Sequence, residues 1–195
     1  MSNATRVPNP KSSRRTLLIL IGLTVVPAVA AWLMYFFFPP SGRMNYGTLV
    51  NVRPLPDVAL ADMAGKPVSL KSLRGKWLLI SVERPKCTDP CEKNLVAANT
   101  ARTLQNREQD RIVRVWLMAG EGAASARATN LTAGMPVFRV DPDKVSAVLA
   151  NEPDPIGHSF VIDPLGNLVL RYPPQADPKK ISKDLKRLLR ASNIG

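Results

Sequence analysis

The chain has few of the side chains that bind soft metals or form cross-links, since its 195 residues include only two cysteines and one histidine. Three such ligands fall one short of the four protein ligands that structural zinc sites normally use. The sequence therefore disfavours a structural zinc centre. Any thiol chemistry must use Cys87 and Cys91, and His158 is the only imidazole that could join them as a metal ligand.

Aromatic residues are also scarce, at 6% of the chain, and they are not interleaved with basic residues into a surface on which bases could stack. We therefore expect no nucleic-acid partner, despite a formal net charge of +12. Part of this charge lies in a predicted C-terminal helix, at Lys179, Lys180, Lys183, Lys186, Arg187 and Arg190. These residues fit an anionic lipid surface or an acidic protein partner, and more simply they fit a solvated helix face.

Charged residues are absent from positions 16–38, which read TLLILIGLTVVPAVAAWLMYFFF. A helix of this length crosses the hydrocarbon core of a bilayer. A cleaved signal peptide is the competing interpretation, because Ala28-Val29-Ala30 resembles a cleavage site. Apolar residues continue well beyond that site, so we favour an uncleaved transmembrane helix over 16–38.

The charges on either side of this segment predict its orientation. Arg6, Lys11, Arg14 and Arg15 precede it, and only Arg43 follows closely behind. The positive-inside rule then makes residues 1–15 a cytoplasmic basic tail and places the remainder outside. We expect a single-pass protein of the bacterial inner membrane with a periplasmic domain, in preference to one of the mitochondrial inner membrane. Both compartments permit disulfide bonds.

The region after the span predicts one domain on a tether. Residues 39–56 are rich in proline, glycine and polar residues, and residues 57–195 are enough for a domain with its own core. Periodicity predicts, in order, a hairpin at Gly65, a strand over 77–82, a helix after the cysteines, a strand over 111–119, a short strand and helix over 135–150, a hairpin over 158–173 and a helix over 178–190. This order is that of the thioredoxin fold. We predict an α/β, thioredoxin-like fold with an N-terminal hairpin extension, preceded by a single transmembrane helix.

The two cysteines fall where the first central strand gives way to the first long helix. Asp89 is the predicted N-cap, Pro90 the first helical residue, and Glu92 the partner that completes a capping box. Cys91 is then in the first helical turn and Cys87 on the loop before it. The helix dipole, with Arg84 and Lys86 nearby, should lower the pKa of a thiol at this place.

Three residues separate the cysteines, so either a short-loop disulfide or a two-thiolate metal chelate is sterically plausible. His158 immediately precedes a predicted strand that, in a thioredoxin fold, lies across from the start of the helix. Two thiolates and one imidazole form a soft ligand set suited to Cu(I). The sequence therefore predicts a copper site at Cys87, Cys91 and His158.

At these residues the chain resembles the Sco/SenC family of membrane-anchored, thioredoxin-like copper proteins that assist assembly of cytochrome c oxidase. The matching segments are CTDPCE and GHSFVIDPLGN. Thr88 and Glu92 stand where the family has prolines. The resemblance implies copper as the bound metal, with Cys87, Cys91 and His158 as its ligands. It also implies cytochrome c oxidase subunit II as the partner, served by copper delivery or by reduction of its cysteines.

Three other interpretations remain open. A metal-independent thiol-disulfide oxidoreductase would use Cys87 and Cys91 as a redox pair, although their spacing exceeds the Cys-x-x-Cys of general oxidoreductases. A peroxidase is disfavoured because Arg84 occupies the position where peroxidases of this fold have threonine. A tethered binding domain with a purely structural disulfide explains the cysteines poorly, since so short a loop adds little stability.

Overall fold

The chain divides into two units between residues 44 and 45. The computed structural model describes residues 10–37, 45–192 and 194, with side chains from residue 14 onward. In the first unit, helix α1 (Pro10–Phe37) contains a candidate membrane span at Arg14–Phe37, within which an 18-residue window has a mean hydropathy of 2.5. The predicted apolar helix is confirmed. It begins earlier than predicted because the helix continues into the polar residues that precede the apolar run. Most of the predicted tail and residues 38–44 lie outside the described residues.

The second unit is built on one sheet of eight strands. Their bounds are β1 Thr48–Pro54, β2 Leu60–Ala61, β3 Pro67–Val68, β4 Trp77–Glu83, β5 Ile112–Ala119, β6 Val137–Val140, β7 Ser159–Ile162 and β8 Asn167–Tyr172. The strand order across the sheet is β1-β8-β7-β4-β5-β6-β2-β3. Strands β4, β5 and β6 are parallel neighbours, and the other pairings are antiparallel.

Four helices complete this unit: α2 Asp89–Thr103, α3 Ala126–Leu131, α4 Val145–Val148 and α5 Pro178–Ala191. Helix α2 connects the parallel strands β4 and β5, which is the βαβ unit that the sequence predicted. The carboxyl end of β4 and the start of α2 therefore meet at one edge of the sheet. This is the edge at which both cysteines lie.

The sheet has an apolar core on each face, which explains why the WLLISV strand is apolar without alternation. Trp77 and Leu79 of β4 pack in a cluster with residues of α2 and α5, where Ala97, Ala98 and Ala101 are buried on the α2 side. The other face of β4 packs against a second cluster that includes Val145 and Leu149. The middle of α2 is thereby packed against the sheet.

The predicted tether over 39–56 is too long, because β1 lies within it. Thr48–Pro54 pairs with β8, and the backbone N–H of Leu55 donates to the carbonyl of Gly166 at 2.9 Å. The domain therefore starts near residue 45, not 57. Nearly all side chains of β1 are exposed, so this edge strand depends on backbone hydrogen bonds. It lacks the apolar alternation by which a strand is recognised in sequence.

Candidate functional site

The two cysteines form a disulfide at the start of α2. Their Cα atoms are 5.2 Å apart, and the two residues are only 8% and 5% exposed. Cys87 follows a tight turn in which its N–H donates to the carbonyl of Pro85 at 2.9 Å. Cys91 lies in the first turn of α2, as predicted. Of the two geometries that the spacing allows, the structure contains the short-loop disulfide.

The predicted capping box is wrong in its details. The N-cap is Thr88, which makes no side-chain cap, so Asp89 and Pro90 are already inside the helix. Proline lacks an N–H and fits either of the first two helical positions, so it did not fix the register. The two acidic side chains pair elsewhere, Asp89 with Lys93 at 2.8 Å and Glu92 with Arg127 at 2.7 Å. The start of the helix thus carries two largely exposed ion pairs in place of a capping box.

The disulfide is surrounded by apolar side chains. It belongs to a buried cluster with Leu95, Trp116, Met118, Ala128 and Met135. Both methionines and Trp116 are buried core residues. An apolar surrounding disfavours an unpaired anion. A thiolate formed by reduction would therefore be stabilised by a bound cation, or by opening of the loop toward solvent.

His158 lies beside the end of β4, as the predicted topology requires. The N–H of Val82 donates to the carbonyl of His158 at 3.1 Å, and the N–H of Gly157 donates to the carbonyl of Val82 at 2.7 Å. Cys87 is five residues beyond Val82 in the chain. The His158 segment therefore lies beside the end of β4, from which the chain runs on toward Cys87. Among residues 10–37, 45–192 and 194, however, no three His, Cys, Asp or Glu side chains are grouped to hold a metal ion.

The imidazole of His158 is engaged on both nitrogens. Arg171 Nη2 lies 3.0 Å from Nε2, and Nδ1 lies 3.3 Å from the carbonyl oxygen of Ile156. A guanidinium only donates, so Nε2 accepts and Nδ1 carries the proton. Burial, followed by the positive charge of Arg171, lowers the pKa of His158. The ring is therefore neutral at pH 7, with its ligating lone pair directed at Arg171.

Arg171 is itself held in place by a buried acid. Its Nη1 lies 3.6 Å from Glu152, and Arg53 lies 3.1 Å from the same carboxylate. Glu152 is only 6% exposed. This partner of His158 was not predicted from the sequence. The one feature that could have indicated this contact is the β7–β8 hairpin, which places Arg171 opposite Phe160, two residues after His158.

A second polar group missed by the sequence analysis is Glu83 with Asn94. Glu83 ends β4, is 5% exposed, and accepts a hydrogen bond from Asn94 Nδ2 at 2.6 Å. Asn94 Nδ2 also donates to the carbonyl of Gly157 at 2.9 Å, and Asn94 Oδ1 accepts from the N–H of Gln175 at 2.7 Å. Burial raises the pKa of Glu83, and the Asn94 hydrogen bond offsets this only in part. Asn94 thus ties α2 to β4 and to the loop that carries His158.

Solved structures of similar fold include Sco proteins and a thiol-disulfide oxidoreductase. Apo Sco1 from Thermus thermophilus is 24% identical, with 76% of this chain and 100% of that chain covered and a TM-score of 0.60. Copper-bound ScoI from Arabidopsis thaliana is 18% identical, with coverage of 72% and 100% and a TM-score of 0.57. The thioredoxin domain of a thiol-disulfide oxidoreductase from Bacteroides vulgatus is 16% identical, with coverage of 73% and 99% and a TM-score of 0.52. At these identities the likeness confirms the thioredoxin-like fold.

The sequence itself matches one family. No curated protein matches the chain. The family described as transmembrane-like, thioredoxin-like, C-terminal domain matches residues 77–192, from the first residue of β4 to the end of α5. That region is more than half of the 195 residues and contains both cysteines and His158. The chain therefore belongs to the transmembrane-like, thioredoxin-like C-terminal domain family.

Proposed function

We propose that the chain is a Sco-type, membrane-anchored copper protein that assists assembly of the dinuclear copper site of cytochrome c oxidase, with subunit II as its partner. The observation that carries the proposal is that the segment of the chain's only histidine is hydrogen-bonded to the end of β4, the strand that leads into the chain's only two cysteines. The apolar helix α1 would anchor the protein in the bacterial inner membrane, with the domain in the periplasm.

Copper is the cargo in this proposal, and the redox state of the cysteines controls its binding. Reduction of the disulfide by an external dithiol transfers two electrons and two protons to Cys87 and Cys91, which become two thiols while the dithiol becomes a disulfide. Cu(I) then replaces the thiol protons on Cys87 and Cys91, as soft thiolates favour this ion. Neutral His158 offers Nε2 as the third ligand once Arg171 has released it. The apolar cluster around the sulfurs favours the metal-bound thiolate pair over free thiolates.

The same pair can serve the partner by reducing its cysteines. In that step Cys87 and Cys91 pass two electrons to a disulfide of subunit II. The partner's disulfide becomes two thiols, and the Cys87–Cys91 disulfide forms again. The two protons of the thiols move with the electrons. Because the oxidised form lacks free thiolates, one protein cannot carry Cu(I) on this pair and hold the disulfide at the same time.

The test is a Cu(I) titration of the full-length protein in detergent, reduced and without oxygen, against a chromogenic chelator. We expect one Cu(I) per chain and no such binding by the oxidised protein. Cys87→Ser, Cys91→Ser and His158→Ala should each weaken binding. Met135→Leu is the matched control, since it removes a sulfur from the same cluster without touching the proposed ligands. Unchanged affinity in the cysteine variants would refute the copper site.

A metal-independent thiol-disulfide oxidoreductase is the second candidate. It is favoured by the disulfide itself and by the engagement of His158 with Arg171. A Cys91→Ser variant that traps a mixed disulfide with a substrate protein, while the copper titration gives no binding, would support it. A very low reduction potential, in the range of structural disulfides, would exclude an oxidising catalyst.

A further inference from the structure

Helix α5 presents an exposed face that carries positive charge only. All six of its basic residues are exposed: Lys179, Lys180, Lys183, Lys186, Arg187 and Arg190. With 3.6 residues per turn, these positions fall within an arc of about 120° around the helix axis. The opposite face, with Ile181, Leu185 and Leu189, is buried in the core. The helix is therefore divided into an apolar face and a cationic face.

The only acidic residue of α5 is turned inward. Asp184 is 1% exposed and accepts hydrogen bonds from the backbone N–H groups of Tyr46 at 3.1 Å and Gly47 at 2.9 Å. Its nearest cation is Arg187, at 3.9 Å. In the described part of the chain, the other five basic residues of α5 form no ion pair. The cationic face therefore retains its charge for an external partner.

This helix is also where the chain coming from the membrane span joins the domain. Tyr46 is bonded to Asp184, and the ammonium group of Lys180 lies 5.0 Å from the centre of the Tyr46 ring. Only residues 38–44 separate Phe37, the last residue of α1, from Asn45. A fully extended chain advances at most about 3.6 Å per residue, so this connection spans about 29 Å or less. A bilayer that holds α1 is thus within reach of the start of the domain.

From these features we infer that the cationic face of α5 binds the anionic lipid headgroups of the membrane in which α1 is inserted. Phosphate groups of such lipids attract lysine and arginine near the surface, with about a fivefold gain in binding for each basic residue. A covalent tether keeps the local lipid concentration high without any further contact. A membrane fits better than an acidic soluble protein, because the cationic face adjoins the residues that the tether enters.

The experiment uses the full-length oxidised protein in nanodiscs of phosphatidylcholine alone or with 30% phosphatidylglycerol. Both native cysteines are bonded, so an Ala191→Cys substitution at the exposed end of α5 gives one site for a fluorophore. Lipids with a spin label on the headgroup quench this fluorophore when α5 touches the surface. We expect strong quenching only with phosphatidylglycerol, and its loss as salt rises from 0.05 to 0.5 M, because the Debye length falls several-fold.

In the variant K179Q/K183Q/K186Q/R190Q, the phosphatidylglycerol-dependent quenching should be at least fivefold weaker than in the wild-type protein. A matched control, K66Q/K76Q/R107Q/K144Q, removes the same charge from exposed positions outside α5 and should retain it. Equal quenching in both lipids, or no change in the α5 variant, would overturn the inference. Binding of poly-glutamate without any response to phosphatidylglycerol would also overturn it. That result would indicate that the cationic face binds an acidic protein. The salt titration needs no variant, so a folding defect in either quadruple variant leaves the inference testable.

Discussion

Replacing Asn94 with alanine would test the polar network that joins the cysteine helix to the His158 loop. The substitution removes three hydrogen bonds: one to Glu83 at 2.6 Å, one to the carbonyl of Gly157 at 2.9 Å and one from the N–H of Gln175 at 2.7 Å. Asn94 is 3% exposed, so water does not readily replace them. Each partner is left with an unmet hydrogen-bonding group.

The expected cost follows from the kinds of bond that are lost. A hydrogen bond to a charged group contributes about 1.5–3 kcal/mol, and a neutral one about 0.5–1.5 kcal/mol. With Glu83 as the charged partner, Asn94→Ala should lower the free energy of unfolding by about 3–5 kcal/mol. That is a large part of the about 5–15 kcal/mol that holds an ordinary domain together.

The assay is urea unfolding of the full-length protein in detergent, followed by fluorescence of the buried Trp77 and Trp116. Asn99→Ala is the matched control, because it is the same change at an exposed position of the same helix. We expect the control to change stability by less than about 0.5 kcal/mol.

A double-mutant cycle with Glu83→Gln separates the bond to the carboxylate from the other two. If the carboxylate is the main partner, Asn94→Ala should cost about 1–2 kcal/mol less in the Glu83→Gln background. A cost below about 1 kcal/mol in the wild type, or an equal cost in both backgrounds, would refute the role given to this network.

Three further predictions follow from single contacts. Burial raises the pKa of Glu83 above 4.5, so its contribution to stability is full below pH 4.5 and is lost as the pH rises through the folded-state value. Glu83→Gln should therefore gain stability relative to wild type between pH 4 and 8, and unfolding curves that stay parallel across this range would contradict the assignment. Gly47→Ala would place a Cβ atom 2.6 Å from the ring of buried Tyr172 and should cost about 1–3 kcal/mol in thermal unfolding; a neutral result would show that the ring moves freely. Arg171→Gln should free the imidazole of His158 and tighten Cu(I) binding about fivefold, the equivalent of one hydrogen bond, whereas weaker binding would show that Arg171 positions the ligand.

The order of secondary structure could be predicted because its signals are local. The apolar runs of β4 and β7, the alternating burial of β8 and the apolar stripe of α5 depend on neighbours a few residues away. The hairpin of β2 and β3 around Gly65 was found in the same way, since Gly65 has a φ of 81° that favours glycine. Strand β1 was missed because its pairing with β8 is a backbone contact between residues far apart in sequence.

In the candidate site, too, features with local signals could be predicted and contacts between distant residues could not. Sequence spacing predicted that Cys87 and Cys91 could bond, and topology predicted that His158 would lie near the end of β4. The direction of the His158 side chain could not be predicted, because Arg171 determines it from a strand 13 residues away. The role of Asn94 was also hidden, because its partners Gly157 and Gln175 are 63 and 81 residues distant.

The sequence by itself thus determined a charge-free segment long enough for a transmembrane helix, the order of a thioredoxin-like domain and a pair of cysteines at the start of its main helix. Each of these depends on composition or on short-range spacing. Only the tertiary structure decided that Arg171 engages the imidazole of His158, that Glu83 and Asn94 are buried together, and that Asp184 turns inward. These features arise when distant segments pack and leave polar groups with no water, so that each must find a partner within the protein.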